Sequence, residues 1–340
     1  MTYMNSLCAD VGTANCPCPL ASTGDCLVCG KLSERGECDC CWAGVCVYNE
    51  YIQNGSLVRG SRENKTASIL KKIWYGRDLL VIVLKVTKGF ALEAAQPGSF
   101  VFVNASGEKE FSNVPVSVMK ADPEKGQISI ALKIISGKTK AVAREEKELQ
   151  LRGVYRNGLL GQGLEGLRED IRQAGRAPGK KRWLIVTKGV GFAPAVNLTR
   201  RAGGNIRMDF LVDTEKINDE IVMDYLQSEL SDNKADVSFR KDSLQSIGEY
   251  LKTERAKGRR PFLAGSYNTD VYDRIIILAS DHYIKTLAEY MDIPPHKLVF
   301  CNNFRMCCGE GICGACSHID GRGEVSKMCK CRSVDIRELL

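Results

Sequence analysis

The cysteines have the most chemistry to offer in this 340-residue chain, and their placement is not random. Of 16, nine lie between Cys8 and Cys46, seven between Cys301 and Cys331, and none in the 254 residues between. Core-filling cysteines would be spread along the chain. A disulfide framework suits small secreted domains. The start, Met1-Thr2-Tyr3-Met4-Asn5-Ser6, lacks the basic-then-apolar pattern of a secretion signal. The chain therefore reads as cytoplasmic, and metal or iron–sulfur ligation is expected at both ends.

The carboxy-terminal group is the more specific. Cys308-Gly-Glu-Gly-Ile-Cys313-Gly-Ala-Cys316, followed by Cys329, gives C-x4-C-x2-C-x12-C. This is the opening spacing of plant-type [2Fe–2S] sites with a fourth cysteine downstream. Gly309, Gly311 and Gly314 let the backbone fold tightly and turn amide N–H groups toward the cluster. Four cysteines also suit tetrahedral zinc, but the glycine-rich C-x4-C loop favours [2Fe–2S]. Cys301, Cys307 and Cys331 are left over.

The amino-terminal group is denser and less readable. It runs Cys16, Cys18, Cys26, Cys29, Cys38, Cys40, Cys41 and Cys46, with Cys8 further upstream. Without Cys8, eight thiols remain, enough for two four-ligand sites. Structural zinc and [4Fe–4S] both accept such ligands. A segment this short and this poor in apolar residues is expected to need metal to fold.

Between the cysteine groups lie the elements that must position them. Residues 65–165 read as a small antiparallel barrel, from short β-branched runs at Asp78–Lys85, Ser99–Val103, Pro115–Val118 and Gln127–Ile135. A short helix from Lys138 to Glu148 and a closing strand over Leu149–Val154 complete it. Residues 180–300 alternate strand and helix: strands at Arg182–Thr187, Arg207–Asp213, Ala235–Phe239 and Arg274–Ala279. The helices are a stretch to Ala202, then Asp219–Leu230, Leu244–Ala256 and His282–Met291. That alternation predicts an α/β layer with a mostly parallel sheet. The turn Gly189-Val190-Gly191-Phe192-Ala193-Pro194 follows the first of these strands, where a nucleotide phosphate would sit on exposed helix N–H groups. Such turns also serve tight strand–helix packing. Ala174–Lys181 reads as the linker. The expected division is thus a cysteine-rich metal module (1–50), a flavin-type barrel (65–165), a nucleotide domain (180–300) and a cluster segment (301–340).

Composition excludes several classes. With 44% hydrophobic and 26% charged residues the chain is an ordinary globular one. Its apolar runs, such as Leu79–Leu84, fall far short of the ~20 residues of a spanning helix, so no membrane insertion is expected. The net charge is +7, yet residues 1–50 hold six acidic and two basic residues and the excess lies in the rest. No basic run with interleaved aromatics is present, so no nucleic acid is expected. A diffuse positive excess suits anionic cofactors or acidic partner proteins.

Barrel, α/β layer and cysteine loop in this order resemble the ferredoxin-reductase-like flavoproteins. More narrowly, residues 65–340 are similar to the electron-transfer subunits of class B dihydroorotate dehydrogenase, NADH-dependent ferredoxin:NADP oxidoreductase and sulfide-dehydrogenase-like proteins. The resemblance is carried by Pro97-Gly98-Ser99-Phe100-Val101, by Gly137-Lys138-Thr139-Lys140, by Gly153-Val-Tyr-Arg-Asn157-Gly158-Leu-Leu-Gly161, by Gly189–Pro194 and by the cysteine loop. It implies FAD across Pro115, Val116, Ser117, Gly137, Lys138, Thr139 and Lys140. It implies NAD(P)H near Gly189, Gly191, Ala193 and Pro194, and a larger redox subunit as partner. Hydride transfer to a flavin needs no acid–base residue of the protein, so none is assigned.

Two departures bear on this. The family carries an arginine just before Pro-x-Ser that holds the FAD diphosphate; here the segment is Asn113-Val114-Pro115-Val116-Ser117. A neutral side chain does not replace a bidentate guanidinium, although Lys138 and Lys140 supply charge nearby. Ala279-Ser280-Asp281 also stands where the family has Gly-Pro. The sequence therefore supports an electron-transfer flavoprotein subunit, with a non-catalytic iron–sulfur relay or assembly subunit as the alternative.

Overall fold

The computed structural model describes residues 8–174, 181–202, 206–213, 215, 217, 219–227, 237–240, 269–321, 323, 325–332, 334 and 336. The expected helix at Leu244–Ala256, and most of the linker, lie outside them.

The amino-terminal segment carries two short helices, α1 (Pro19–Thr23) and α2 (Val47–Gln53). Its small core is built from Val11, Ala21, Val28, Leu32 and Val47, together with the buried Cys8 and Cys29.

A closed six-stranded barrel follows: β1 (Lys65–Tyr75), β2 (Leu79–Lys85), β3 (Phe100–Asn104), β4 (Val114–Asp122), β5 (Gln127–Lys133) and β6 (Glu148–Tyr155), in the order β1-β2-β5-β4-β3-β6. Every neighbouring pair is antiparallel. Helix α3 (Lys88–Ala94) joins β2 to β3, and α4 (Gly137–Arg144) joins β5 to β6. The strand pattern explains an apolar run that does not alternate. In β2, Leu80, Ile82 and Leu84 fill the barrel, while Leu79 and Val81 pack outward against the α/β layer. Both faces of this strand are buried, so both are apolar. β1, with its many lysines, is not among the expected strands; Ala67 and Ile69 face the barrel core, while Ile73 and Tyr75 pack toward the α/β layer.

The second layer is a six-stranded sheet. A short edge strand β7 (Leu159–Leu160) and helix α5 (Leu164–Gln173) precede β8 (Lys181–Lys188). Then come α6 (Phe192–Arg201), β9 (Ile206–Asp213), α7 (Asp219–Ile221, continuing as a π-helical turn over Val222–Gln227), β10 (Val237–Arg240), β11 (Arg274–Leu278), α8 (Asp281–Tyr290) and β12 (Leu298–Cys301). The order is β10-β9-β8-β11-β12-β7, parallel except for β7 against β12. Chain progression reverses between β8 and β11. That makes a topological switch point at their carboxyl ends, the place where open α/β sheets bind ligands. β13 (Ser317–Ile319) and β14 (Val325–Lys327) form a small antiparallel pair in the carboxy-terminal segment.

Among the described residues, no helix is long and apolar enough to cross a membrane. The antiparallel barrel followed by a mostly parallel layer is the architecture that the strand and helix patterns predict.

Candidate functional site

The carboxy-terminal cysteine loop lies on the outside of the barrel. Phe102 on β3 and Arg152 and Tyr155 on β6 hold it there. Arg152 donates to the carbonyl oxygens of Cys307 and Cys308 at 3.3 and 3.1 Å, and the Tyr155 hydroxyl to Glu310 at 2.9 Å. Gly309 sits so close to these rings that a Cβ would stand 2.6 Å from Tyr155, so the loop requires glycine there. Asn157 anchors the other arm, donating to the carbonyls of Met328 and Cys331 at 2.9 and 3.3 Å.

Within this frame Cys308, Cys313, Cys316 and Cys329 converge. Cys308 is in hydrogen-bonding reach of Cys313 and Cys329, and Cys316 of Cys329. Contact with Cys329 holds the Cys308 and Cys316 thiols below the usual thiol range, and the same contacts together with burial raise Cys329 itself. Backbone N–H groups of Glu310 and Cys313 point at Cys308 Sγ at 3.3 and 3.5 Å, and that of Cys329 at Cys316 Sγ at 3.3 Å. Amides aimed at sulfur stabilise thiolate charge. Among the described residues, no three or more His, Cys, Asp or Glu side chains stand as ligands of a single metal ion. The thiols form one chain of contacts, Cys313 to Cys308 to Cys329 to Cys316. This donor set fits a cluster whose irons each take a pair of thiolates.

The amino-terminal segment packs on this loop. Ala9 N–H donates to the Lys330 carbonyl at 2.6 Å, the Cys8 and Cys331 backbones pair in an isolated antiparallel β-bridge, and the Leu20 side chain leaves no room for a Cβ at Gly311. Between them lies a buried charge network that the sequence analysis did not anticipate. Lys330 Nζ reaches Asp10 at 2.6 Å and Glu310 at 2.9 Å, and Arg62 reaches the same two carboxylates at 2.6 and 3.1 Å. Burial alone would raise the Asp10 carboxyl, but Lys330 and Arg62 hold it below its usual range. Burial opposes charge on Lys330, and Asp10 and Glu310 override it and keep the amine protonated. No sequence spacing connects these residues, so no motif could have found them.

Of the amino-terminal candidates, Cys16, Cys18 and Cys26 come together with Cys8 around one cavity. Cys29 is buried beside them, and Cys38, Cys40, Cys41 and Cys46 are exposed.

The candidate flavin residues meet on one side of the barrel. Pro115, Val116 and Ser117 lie on β4, and Gly137–Lys140 form the first turn of α4. The Lys138 ammonium bonds the Phe111 carbonyl and so pins the turn before β4 against α4. The Asn113 side-chain N–H group, buried one residue before the arginine position of the resemblance, has no hydrogen-bond partner. Thr139 behaves differently from expectation. Its hydroxyl donates to the Ser136 carbonyl at 3.0 Å and accepts from the Ile135 and Ser136 N–H groups at 3.0 Å, within a capping box with Ser136. The hydroxyl is thereby committed to the helix end. Donors left for a diphosphate are the first N–H groups of α4, Asn113, and the lysines as point charges. That set fits an anionic group, with fewer charge-assisted bonds than an arginine would give.

The nucleotide candidates lie at the switch point. Gly189 and Gly191 form a turn at the end of β8, and Ala193 and Pro194 are buried in the first turn of α6. Gly189 has a φ of +59°, and a Cβ on Gly191 would stand 2.0 Å from the Leu278 carbonyl oxygen. Gly191 is thus required for packing. Lys188 is paired with Asp213 at 2.6 Å, tying β8 to β9, and Asp281 accepts from Asn303 at 2.8 Å.

These features define the ferredoxin–NADP reductase-like fold. No family model and no curated protein matches the chain. Among solved structures it is similar to the NADH-dependent reduced ferredoxin–NADP oxidoreductase studied for flavin-based electron bifurcation, at 15% identity and a TM-score of 0.54 over 80% of this chain and 88% of that one. It is also similar to phthalate dioxygenase reductase, described as a modular structure for electron transfer from pyridine nucleotides to [2Fe–2S], at 12% identity and a TM-score of 0.45 over 80% and 96% of the two chains.

Proposed function

We propose that this chain is an electron-transfer flavoprotein subunit of a multi-subunit oxidoreductase. It passes electrons between NAD(P)H, FAD and a [2Fe–2S] cluster on Cys308, Cys313, Cys316 and Cys329, and hands them to a partner subunit. The observation that carries this reading is the convergence of those four thiols, with amides aimed at them, on the wall of a barrel of this fold. FAD would lie along Pro115–Ser117 and the first turn of α4, and would supply two-electron to one-electron exchange when bound. The nicotinamide cofactor would approach the Gly189–Pro194 turn. This protein's own residues position these groups: Arg152, Tyr155 and Asn157 fix the cluster loop to the barrel, and the α6 packing on β2, β4 and β5 fixes the two layers.

One observation favours a second reading, a relay without flavin. Val114 stands where the resemblance has an arginine, and Thr139 is bonded within its own helix end. A visible spectrum of anaerobically purified protein decides between them. Flavin bands with iron–sulfur absorption support the first. Iron–sulfur absorption alone, with no uptake of added FAD, replaces it with the second.

A further inference from the structure

We propose that Phe100 and Tyr155, on the outer face of the barrel, bridge the flavin and the [2Fe–2S] cluster and carry the electron path between them. The inference rests on the flavoprotein reading above and adds to it the side chains that join its two redox sites.

Three neighbouring strands present these side chains in one row. Ser117 on β4 is directly opposite Phe100 on β3, and Phe100 is directly opposite Tyr155 on β6. Residues opposite one another in an antiparallel pair share a face of the sheet. Here it is the outer face, because the alternating Val101, Val116, Val118 and Val154 fill the barrel. Adjacent strands lie ~4.8 Å apart, so only ~10 Å separate the backbones of Ser117 and Tyr155.

Each end of the row meets one of the two sites. Ser117 is half-buried and is followed on the same face by Met119, which shares a core with Phe192, Ala193 and Val196 of α6. A flavin on β4 therefore comes nearest to the Gly189–Pro194 turn at the Ser117 end. At the other end, the Tyr155 hydroxyl stands 3.5 Å from the Cys308 carbonyl oxygen, and Gly309 passes close enough that a Cβ would lie 2.6 Å from the ring.

The rings fill the space between. Phe100 and Tyr155 are stacked, with centroids 5.1 Å apart and planes 19° from parallel. Phe102 meets both edge-on, at 5.9 and 5.2 Å. The three rings are buried and form a cluster of their own, apart from the barrel core and the α/β core. Electron tunnelling decays steeply across empty space and less steeply through packed atoms, and rings at interior density leave no void. Each transfer moves one electron: the flavin side gives up one, and one ferric ion of the cluster becomes ferrous. No bond in Phe100 or Tyr155 forms or breaks, so both are positioning residues that set the gap.

The test uses the full chain purified without oxygen, with bound FAD and iron counted before each measurement. The first readout is proximity and needs no variant. Flavin emission overlaps the visible absorption of a [2Fe–2S] group, so it should be quenched in the intact chain and restored when iron is chelated. Emission indifferent to iron would overturn the proposal and leave the flavoprotein reading standing. A chain that neither contains nor takes up FAD would overturn both.

The second readout is the rate at which cluster absorption bleaches after the bound flavin is photoreduced with a tertiary amine as electron donor. Phe100→Leu and Tyr155→Leu should slow it severalfold at unchanged FAD and iron content. Tyr155→Phe, which restores the ring but not the hydrogen bond to Glu310, should recover the rate. A purely structural role gives the reverse: Tyr155→Phe shares the defect of Tyr155→Leu, and Phe100→Leu keeps the full rate. Either result would sink the proposal.

Discussion

The ammonium of Lys330 lies 2.6 Å from a carboxylate oxygen of Asp10, although 320 residues separate them. Lys330 is fully buried, and Arg62 and Glu310 complete a four-charge network around it. The network joins the amino-terminal module to the cysteine loop. One charge in it cannot be removed without stranding another away from water.

Lys330→Met should therefore destabilise the chain by ~3–5 kcal/mol, the usual cost of breaking a buried ion pair on one side. Urea unfolding of the anaerobic protein measures it. The double variant Asp10→Asn with Lys330→Met should lose less than the sum of the two single changes, because each single change strands a charge that the double change removes. Additive losses would show that the two residues do not act as a pair.

If the proposed two-iron cluster is held by Cys308, Cys313, Cys316 and Cys329, Cys313→Ser should abolish the paramagnetic signal that the reduced protein gives. A variant that keeps both irons with an unchanged spectrum would refute the ligand assignment.

Val114→Arg should tighten FAD, because a guanidinium fork next to the α4 turn adds charge-assisted bonds of ~1.5–3 kcal/mol each. Flavin retained through gel filtration is the readout. Lys138→Ala together with Lys140→Ala should act in the opposite direction. Thr139→Val should instead cost ~1 kcal/mol of stability, since its hydroxyl closes a helix cap. A Thr139→Val protein of unchanged stability that loses flavin would return this hydroxyl to the diphosphate.

Gly191→Ala and Gly189→Ala should differ. At Gly191 the new methyl meets the Leu278 backbone at 2.0 Å, so the β8–α6 turn must shift. Overpacking of this kind costs ~1–3 kcal/mol or more. At Gly189 the space is open and only the left-handed φ of +59° is strained, costing ~1–2 kcal/mol. Thermal unfolding and NADH titration of both variants separate packing from nucleotide contact. Equal losses of stability would contradict the geometry.

The sequence by itself determined what is local. The run Leu79–Leu84 reads as a strand because its side chains are apolar throughout, and the structure buries both its faces. The strand–glycine turn–helix at Arg182–Arg201 and the tight glycine loop at Cys308–Cys316 are legible for the same reason. Their geometry depends on residues a few positions apart. Even within a local motif, the role of Thr139 was not legible, because Ser136 and the ligand compete for one hydroxyl and only the folded turn shows the outcome. What tertiary structure decided is everything that joins distant segments. The sequence leaves Cys8 outside the eight amino-terminal thiols counted as ligands, yet the chain folds it against Cys331 and into the cavity of Cys16, Cys18 and Cys26. Lys330 belongs to no motif, and becomes a buried cation only because Asp10 and Glu310 arrive from opposite ends of the chain. Spacing records contacts within a turn or a loop. Desolvation and charge pairing are properties of the assembled interior, and they appear only when the chain has closed around them.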